Sequence, residues 1–400
     1  MTEEGTVPPN MTRTTRLIWP VLAVLTAATF WTVTLEMLPS GLLPSMSRDL
    51  GVGEGAIGVL VSAWAITIAV ASVPLVRMTL RVPRTVLLTV TLAATAPANL
   101  LTALAPDYAF ALIGRVLAAT AHGLFWAVVV SYVASIVEPE RVGRALSIVL
   151  AGPALAGLVG LPAAALIAEN SGWRAVFMGL SGILALTACA LWIILPRRPA
   201  FARAQEIGGV WDRSARGVVF VALAGGLVLV GHFAVFTYIT ALTMRLGGLG
   251  SDAIPVVLLV LGVTGGLGVA ASGVASDRFP RAAIVIAAAT IAVGLILLAL
   301  GDGRPIVFLV GVTAWGFAIG AFPPILQARV LRVSSPSFRT LAGSIVVTVL
   351  NIGIAAGATL GGATLQRGPV VLVIAAMISV TVGTFGLALS RPSPPMDGSA

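Results

Sequence analysis

The chain alternates between long apolar stretches and short connections rich in glycine, proline and arginine. An apolar stretch of about 20 residues can cross a lipid bilayer as an α-helix, because each helical residue adds about 1.5 Å. Twelve stretches have the required length and apolar character. The pattern predicts helices at residues 17–43, 56–79, 85–104, 108–136, 143–167, 173–195, 217–243, 253–275, 282–300, 305–331, 341–364 and 369–389.

The composition is that of a protein embedded in a bilayer. Hydrophobic residues make up 58% of the chain and charged residues only 10%, whereas soluble domains carry about 25% charged residues. The first apolar run contains Glu36 and continues into Pro39 and Pro44 without a small-residue cleavage site, which indicates a retained helix and not a signal peptide. The sequence therefore predicts an all-α integral membrane fold with twelve transmembrane helices.

The distribution of arginine predicts the orientation in the membrane. A formal net charge of +9 is typical of nucleic-acid-binding proteins, but all 24 basic residues are arginines spread over short loops, which argues against a nucleic-acid partner. If the N-terminus is cytoplasmic, eighteen of them face the cytoplasm and five face outward, with Arg115 inside a span. Because cytoplasmic loops are enriched in basic residues, we expect both termini to be cytoplasmic.

A polar interruption near the middle of the chain separates two sets of six predicted helices. Arg81-Val82-Pro83-Arg84 follows the second helix, and Arg278-Phe279-Pro280-Arg281 follows the eighth. Two ordinary basic turns would give the same match, but their equivalent positions favour an internal repeat of six helices. The predicted division is a tail at 1–16, a first bundle at 17–195, a linker at 196–216, a second bundle at 217–390 and a tail at 391–400.

Four ionisable side chains lie in the membrane part of the predicted helices, away from the helix ends: Glu36, Arg115, His122 and His232. Such groups are costly in a membrane unless they are paired or hydrated, so they are candidates for function. Glu36 and Arg115 are at similar depth, which predicts an ion pair, although Glu36 could also form a static bridge or reach the outer interface. A histidine can relay protons or bind a polar substrate, and the alternative for His122 and His232 is simple packing.

Three parts of the sequence resemble the major facilitator superfamily, and within it the twelve-span drug:proton antiporter branch that includes bacterial sugar, nucleoside and chloramphenicol efflux proteins. They are Leu35-Glu36-Met37 with Gly41 to Pro44, then Gly114-Arg115 with His122 to Trp126, and then Gly152-Pro153 followed by Gly157 and Gly160. The resemblance implies two pseudo-symmetric six-helix bundles in a bacterial cytoplasmic membrane. It also implies proton-driven export of a small molecule, by a monomer without cofactor or metal.

The resemblance and the membrane position together give the predicted functional residues. Glu36 is the expected proton carrier, with Arg115 as its charge partner and His122 as a possible relay. The expected antiporter motif consists of Gly152, Pro153, Gly157 and Gly160, in which Pro kinks the helix and Gly permits close approach. The expected substrate-binding residues are Trp31, His122, Trp126, His232, Phe236, Tyr238 and Gln327.

One loop departs from the pattern of the family. The loop between the second and third helices usually carries Gly, then Asp-Arg, then Gly-Arg, but here Leu80 replaces the Asp and Pro83 replaces the second Gly. In the family, this Asp is thought to pair with basic residues that hold the two halves together at the cytoplasmic side. The second-half copy keeps Asp277-Arg278, so we expect this pairing to be weaker in the first half. The residues of this cytoplasmic loop motif are Arg81, Arg84, Asp277, Arg278 and Arg281.

Other classes of function fit the sequence less well. An enzyme would need clustered catalytic or metal-ligating residues at one membrane level, and none are visible. A nucleotide-driven pump would need a Gly-rich loop followed by lysine, and the chain has no lysine. No symmetric filter segment suggests a channel. The remaining alternative to an exporter is an importer or a passive facilitator with the same fold.

Overall fold

The computed structural model describes residues 9–138, 141–196, 212, 214–335 and 338–390. All regular secondary structure in this part of the chain is helical. The first four long helices are α1 at Pro9–Gly41, α2 at Glu54–Met78, α3 at Arg84–Ala103 and α4 at Tyr108–Ile136.

The next two spans, α5 and α6, form a broken helical segment. It consists of Val142–Val149, Ala151–Leu155, a π-helical turn at Ala156–Gly160, and Leu161–Ile194. Gly172 divides the last run, because its φ of 78° takes the chain out of the helix and favours glycine. We call the segment from Val142 to this kink α5 and the segment from the kink to Ile194 α6.

Six further spans complete the fold. They are α7 at Ser214–Phe236, α8 at Ile254–Arg278, α9 at Ala282–Leu300, α10 at Pro305–Val333, α11 at Arg339–Leu365 and α12 at Pro369–Leu389. Short helices at Leu43–Asp49, Ile239–Arg245 and Ser251–Ala253 lie in the connections. The predicted twelve-span, all-α fold is confirmed.

Two predicted boundaries need correction. The helix predicted to start at residue 17 already begins at Pro9, so part of the predicted tail is helical. The helix predicted at 217–243 ends at Phe236, and a turn separates it from the short helix Ile239–Arg245. Most of the predicted linker, 197–211 and 213, lies outside the described residues, as do 1–8 and 391–400 of the predicted tails.

The two halves of the chain pack in the same way. In the first half, α3 packs against α4 and α6, and α2 packs against α4. In the second half, α9 packs against α10 and α12, and α8 packs against α10. Large apolar side chains cover the outside, with Ile193 80% and Ile306 78% exposed. This surface is unsuited to water and fits the hydrocarbon core of a bilayer.

The two halves meet at one end of the molecule. This end carries the α1–α2, α3–α4, α7–α8 and α9–α10 connections, and we call it the distal end. The opposite end, where residues 9 and 390 lie, is called the terminal end. At the distal half of the interface, the Ser62 hydroxyl of α2 donates to the Ala355 carbonyl of α11 at 3.0 Å. Thr240 donates to the Ser40 carbonyl at 3.3 Å. These contacts close the distal end.

Candidate functional site

The Glu36 carboxylate of α1 faces a histidine between two indole rings. Its Oε2 atom lies 3.5 Å from Nε2 of His122 on α4. The His122 ring is 5.1 Å from the ring of Trp64 and 6.1 Å from the ring of Trp126, between centroids. The His122 side chain is 3% exposed, whereas that of Glu36 is 22% exposed. The carboxylate is therefore more accessible than the histidine that it contacts.

Arg115 binds the backbone of α1. Its Nη1 donates to the Leu35 carbonyl at 2.8 Å, and its Nη2 donates to the Glu36 carbonyl at 3.0 Å. The guanidinium carbon lies 4.0 Å above the Trp64 ring, a cation–π contact. Among the described residues, the predicted ion pair between the side chains of Glu36 and Arg115 is not formed in this conformation.

Proline explains why Arg115 binds this part of α1. Pro39 lies four residues after Leu35 and has no N–H to donate to the Leu35 carbonyl. The Leu35 carbonyl therefore needs a donor from elsewhere, because the interior of a membrane offers no water to hydrogen-bond it. Arg115 supplies that donor and brings a positive charge close to Glu36. This nearby positive charge lowers the cost of a negative charge on Glu36, although the two side chains form no direct ion pair among the described contacts.

The second half has a matching histidine between its first and fourth helices. Trp315 Nε1 of α10 donates to Nδ1 of His232 on α7 at 3.1 Å. When neutral, the His232 ring therefore carries its proton on Nε2. The ring stacks on Phe236 at 5.5 Å and meets Phe233 edge-on at 4.6 Å. Each bundle thus has one polar histidine contact at equivalent helices.

Three other predicted substrate-binding residues make different contacts in the structure. Tyr238 is buried and donates to the Ala358 carbonyl at 2.8 Å, where it packs between the halves. Gln327 is exposed on α10, about 18 Å along the helix axis from Trp315 at 1.5 Å per residue. Trp31 packs edge-on against its neighbour Phe30 at 4.4 Å.

The predicted antiporter motif packs α5 between α1 and α8. A Cβ on Gly152 would lie 2.6 Å from the Thr26 carbonyl oxygen and 2.7 Å from the Phe30 nitrogen. Gly160 faces the side chain of Thr34, which also lies on α1. On the other side, a Cβ on Gly262 of α8 would lie 2.6 Å from Cα of Leu158. Gly152 and Gly262 therefore allow backbone contact at the interfaces of α5 with α1 and with α8.

The loop-motif residues lie at the terminal end, and their described contacts stay within each half. Arg84 donates to the Ser131 carbonyl at 2.8 Å. Asp277 of α8 lies 3.5 Å from Arg332 of α10. Arg278 lies 5.9 Å from the Phe279 ring. Arg81 and Arg281 are exposed.

An ion pair that the sequence did not predict joins the two halves. Nη2 of Arg245, in the short helix after α7, lies 2.7 Å from Oε2 of Glu54 at the start of α2. The Glu54 side chain is 15% exposed and that of Arg245 is 45% exposed. Both residues lie near predicted outward loops, but only the packing of the two halves brings them together. This pair links the first half to the second half at the distal end.

Neutralising this ion pair is expected to weaken closure of the distal end. Spin labels at Pro106→Cys and Asp302→Cys, both exposed in distal connections, would report the separation of the halves after the exposed Cys189 is replaced by Ser. We expect Glu54→Gln to raise the long-distance population by up to about fivefold, since partly exposed pairs contribute about 0–1 kcal/mol.

The charge-reversed double variant, Glu54→Arg with Arg245→Glu, is the control for this measurement by double electron–electron resonance. It restores opposite charges at the same two positions and is expected to return the distances to those of the unmodified pair. Distance distributions that stay the same in the single variant would show that the ion pair does not hold the distal end closed.

Comparison with known proteins agrees with this architecture. The family model described as Major Facilitator Superfamily matches residues 22–274. A chloramphenicol efflux pump of Mycobacterium tuberculosis is 33% identical over 398 residues, which cover 96% of this chain and 95% of the relative. A protein of Pseudomonas aeruginosa described as transcription regulatory protein OpdE is 30% identical over 354 residues, covering 87% of this chain and 88% of the relative.

Solved structures show the same fold at low sequence identity. A bacterial homologue of the human lysosomal transporter Spinster, in an inward-facing and occupied conformation, superposes with a TM-score of 0.71 and 15% identity. The alignment covers 92% of this chain and 95% of that one. The same homologue in an inward-facing and unoccupied conformation gives a TM-score of 0.69 and 14% identity, covering 94% of this chain and 95% of that one.

Proposed function

The chain belongs to the major facilitator superfamily and is a membrane transporter, and we propose that it exports a small organic molecule in exchange for protons. The observation that carries the proposal is the Glu36 carboxylate, which lies within the membrane region beside His122 and remains accessible. A carboxylate in such a place is a candidate proton carrier. The efflux relatives support export, and they make chloramphenicol the first compound to test.

The proposed mechanism is alternating access, in which the two six-helix bundles rock about a central site. The present conformation is closed at the distal end. We place the terminal end in the cytoplasm of a bacterial cell because the arginines are concentrated there. Substrate would then enter from the cytoplasm in this conformation. Proton binding to Glu36 would occur when the distal end opens, and release would follow when it closes. We expect a monomer to suffice.

The two histidine contacts have different proposed roles, proton transfer in the first half and substrate binding in the second. In the first half, Glu36 carries the proton, His122 contacts its carboxylate, and Arg115 holds the helix that presents it. In the second half, the ring cluster around His232 and Phe236 offers aromatic surface and one N–H donor to a bound molecule. An aromatic compound with oxygen acceptors, such as chloramphenicol, suits such a surface.

Transport into liposomes tests this proposal. If one proton exchanges for one uncharged molecule, each pH unit across the membrane is expected to maintain about a tenfold concentration ratio of chloramphenicol. Chloramphenicol should accumulate on the side from which the protons leave, because the two cross the membrane in opposite directions. Sugars, nucleosides and cationic dyes serve as comparison compounds.

Two other results would point to the alternatives. Chloramphenicol that equilibrates without accumulating would show a passive facilitator. Accumulation in the same direction as the protons would show an importer.

A further inference from the structure

The hydroxyl of Thr29 reaches from α1 to the broken part of α5. Thr29 Oγ1 lies 2.8 Å from the carbonyl oxygen of Val149. This carbonyl is four residues before Pro153, which has no N–H to donate to it. In the membrane interior, no water is present to replace the missing donor. The buried Thr29 hydroxyl therefore supplies the donor that Pro153 removes.

The same hydroxyl also has an acceptor in its own helix. Thr29 Oγ1 lies 2.9 Å from the Thr26 carbonyl, but a hydroxyl has one hydrogen and donates fully to one acceptor at a time. Thr26, one turn earlier, repeats the arrangement. Its Oγ1 lies 2.8 Å from the Leu22 carbonyl in α1 and 3.1 Å from the Ile148 carbonyl in α5. Helix α1 can therefore separate from α5 without leaving either hydroxyl donor unpaired.

We infer that Thr29 is a positioning residue that sets the balance between the two conformations of the transport cycle. Its hydroxyl donates to the Val149 carbonyl while the distal end is closed, and to the Thr26 carbonyl when α1 shifts away from α5 within the first bundle as the distal end opens. Thr29 lies two helical turns before Glu36 on the same face of α1. Movement of the helix that carries Glu36 therefore changes the distance between Thr29 and the Val149 carbonyl. The inference rests on the alternating-access part of the proposed function, and it requires neither proton coupling nor a particular substrate.

Four variants of the full chain, three single and one double, test this role with the spin labels at positions 106 and 302. Thr29→Val keeps the shape of the side chain but removes the donor, so we expect the distal-closed population to fall roughly three- to tenfold, as for one lost hydrogen bond between membrane helices. Thr29→Ser keeps the hydroxyl and is expected to match the unmodified residue. Pro153→Ala returns a backbone N–H to the Val149 carbonyl, so adding Thr29→Val to it is expected to change nothing further.

The inference would be overturned by any of three results. These are unchanged distances in Thr29→Val, a Thr29→Ser variant that behaves like Thr29→Val, or an equal effect of Thr29→Val with and without Pro153→Ala, which would indicate ordinary packing. If Thr29→Val alone does not assemble, the comparison of the double variant with Pro153→Ala decides the question. These distances are measured without substrate, so a failure of proton-driven accumulation would overturn the proposed function and leave this test standing.

Discussion

Replacing Glu36 with glutamine is expected to abolish proton-driven accumulation of substrate in liposomes. Glutamine has nearly the same shape as a protonated glutamate, but it cannot gain or lose a proton. The contacts of Arg115 with the carbonyls of Leu35 and Glu36 belong to the backbone and should persist. Substrate binding should therefore survive, and exchange of labelled substrate across the membrane without a pH gradient should continue.

The control for Glu36→Gln is Glu36→Asp, which retains a carboxylate one methylene group further from His122. We expect this variant to keep coupled transport at a lower rate. Proton release on addition of chloramphenicol to the detergent-solubilised protein gives a second readout, which should be present in the unmodified protein and in Glu36→Asp, and lost in Glu36→Gln. Full pH-driven accumulation by Glu36→Gln would remove Glu36 from the coupling mechanism.

The spans and the ionisable membrane residues could be predicted because bilayer thickness fixes the length of an apolar helix. The partner of Arg115 could not be predicted in the same way. Depth alone suggested the Glu36 carboxylate, whereas the structure gives Arg115 two backbone acceptors. The signal was Pro39, four residues after Leu35, which leaves a carbonyl without its helical donor. A pattern of side-chain types does not show that acceptor.

Contacts between the halves were the other part that the sequence did not predict. Tyr238 is an aromatic residue of the kind that lines ligand cavities, but in the structure it lies in a helix interface, where its hydroxyl donates to the Ala358 carbonyl. Glu54 and Arg245 form an ion pair although they are far apart in the chain. Such pairs depend on which conformation of the cycle brings the halves together. A sequence that encodes several conformations does not specify one set of contacts between them.

Within the antiporter motif, the structure predicts opposite outcomes for two glycines that look alike in the sequence. Gly152→Ala would push a methyl group against the backbone of Thr26 and Phe30 at 2.6 and 2.7 Å. Backbone atoms cannot turn aside as a flexible side chain can. Because overpacking a close interface typically costs about 1–3 kcal/mol, we expect lower thermal stability in detergent and loss of proton-driven accumulation.

Gly157→Ala is the matched control, because it makes the same chemical change five residues further along α5. A Cβ at Gly157 meets no other atom within 4 Å, since this glycine contacts α8 through its backbone and not through the position of a side chain. We expect its stability to stay within about 0.5 kcal/mol of the unmodified protein, with transport retained. Equal losses in the two variants would mean that the motif requires flexibility of α5 at both glycines, whereas a loss confined to Gly152→Ala would mean that it requires close contact between α1 and α5.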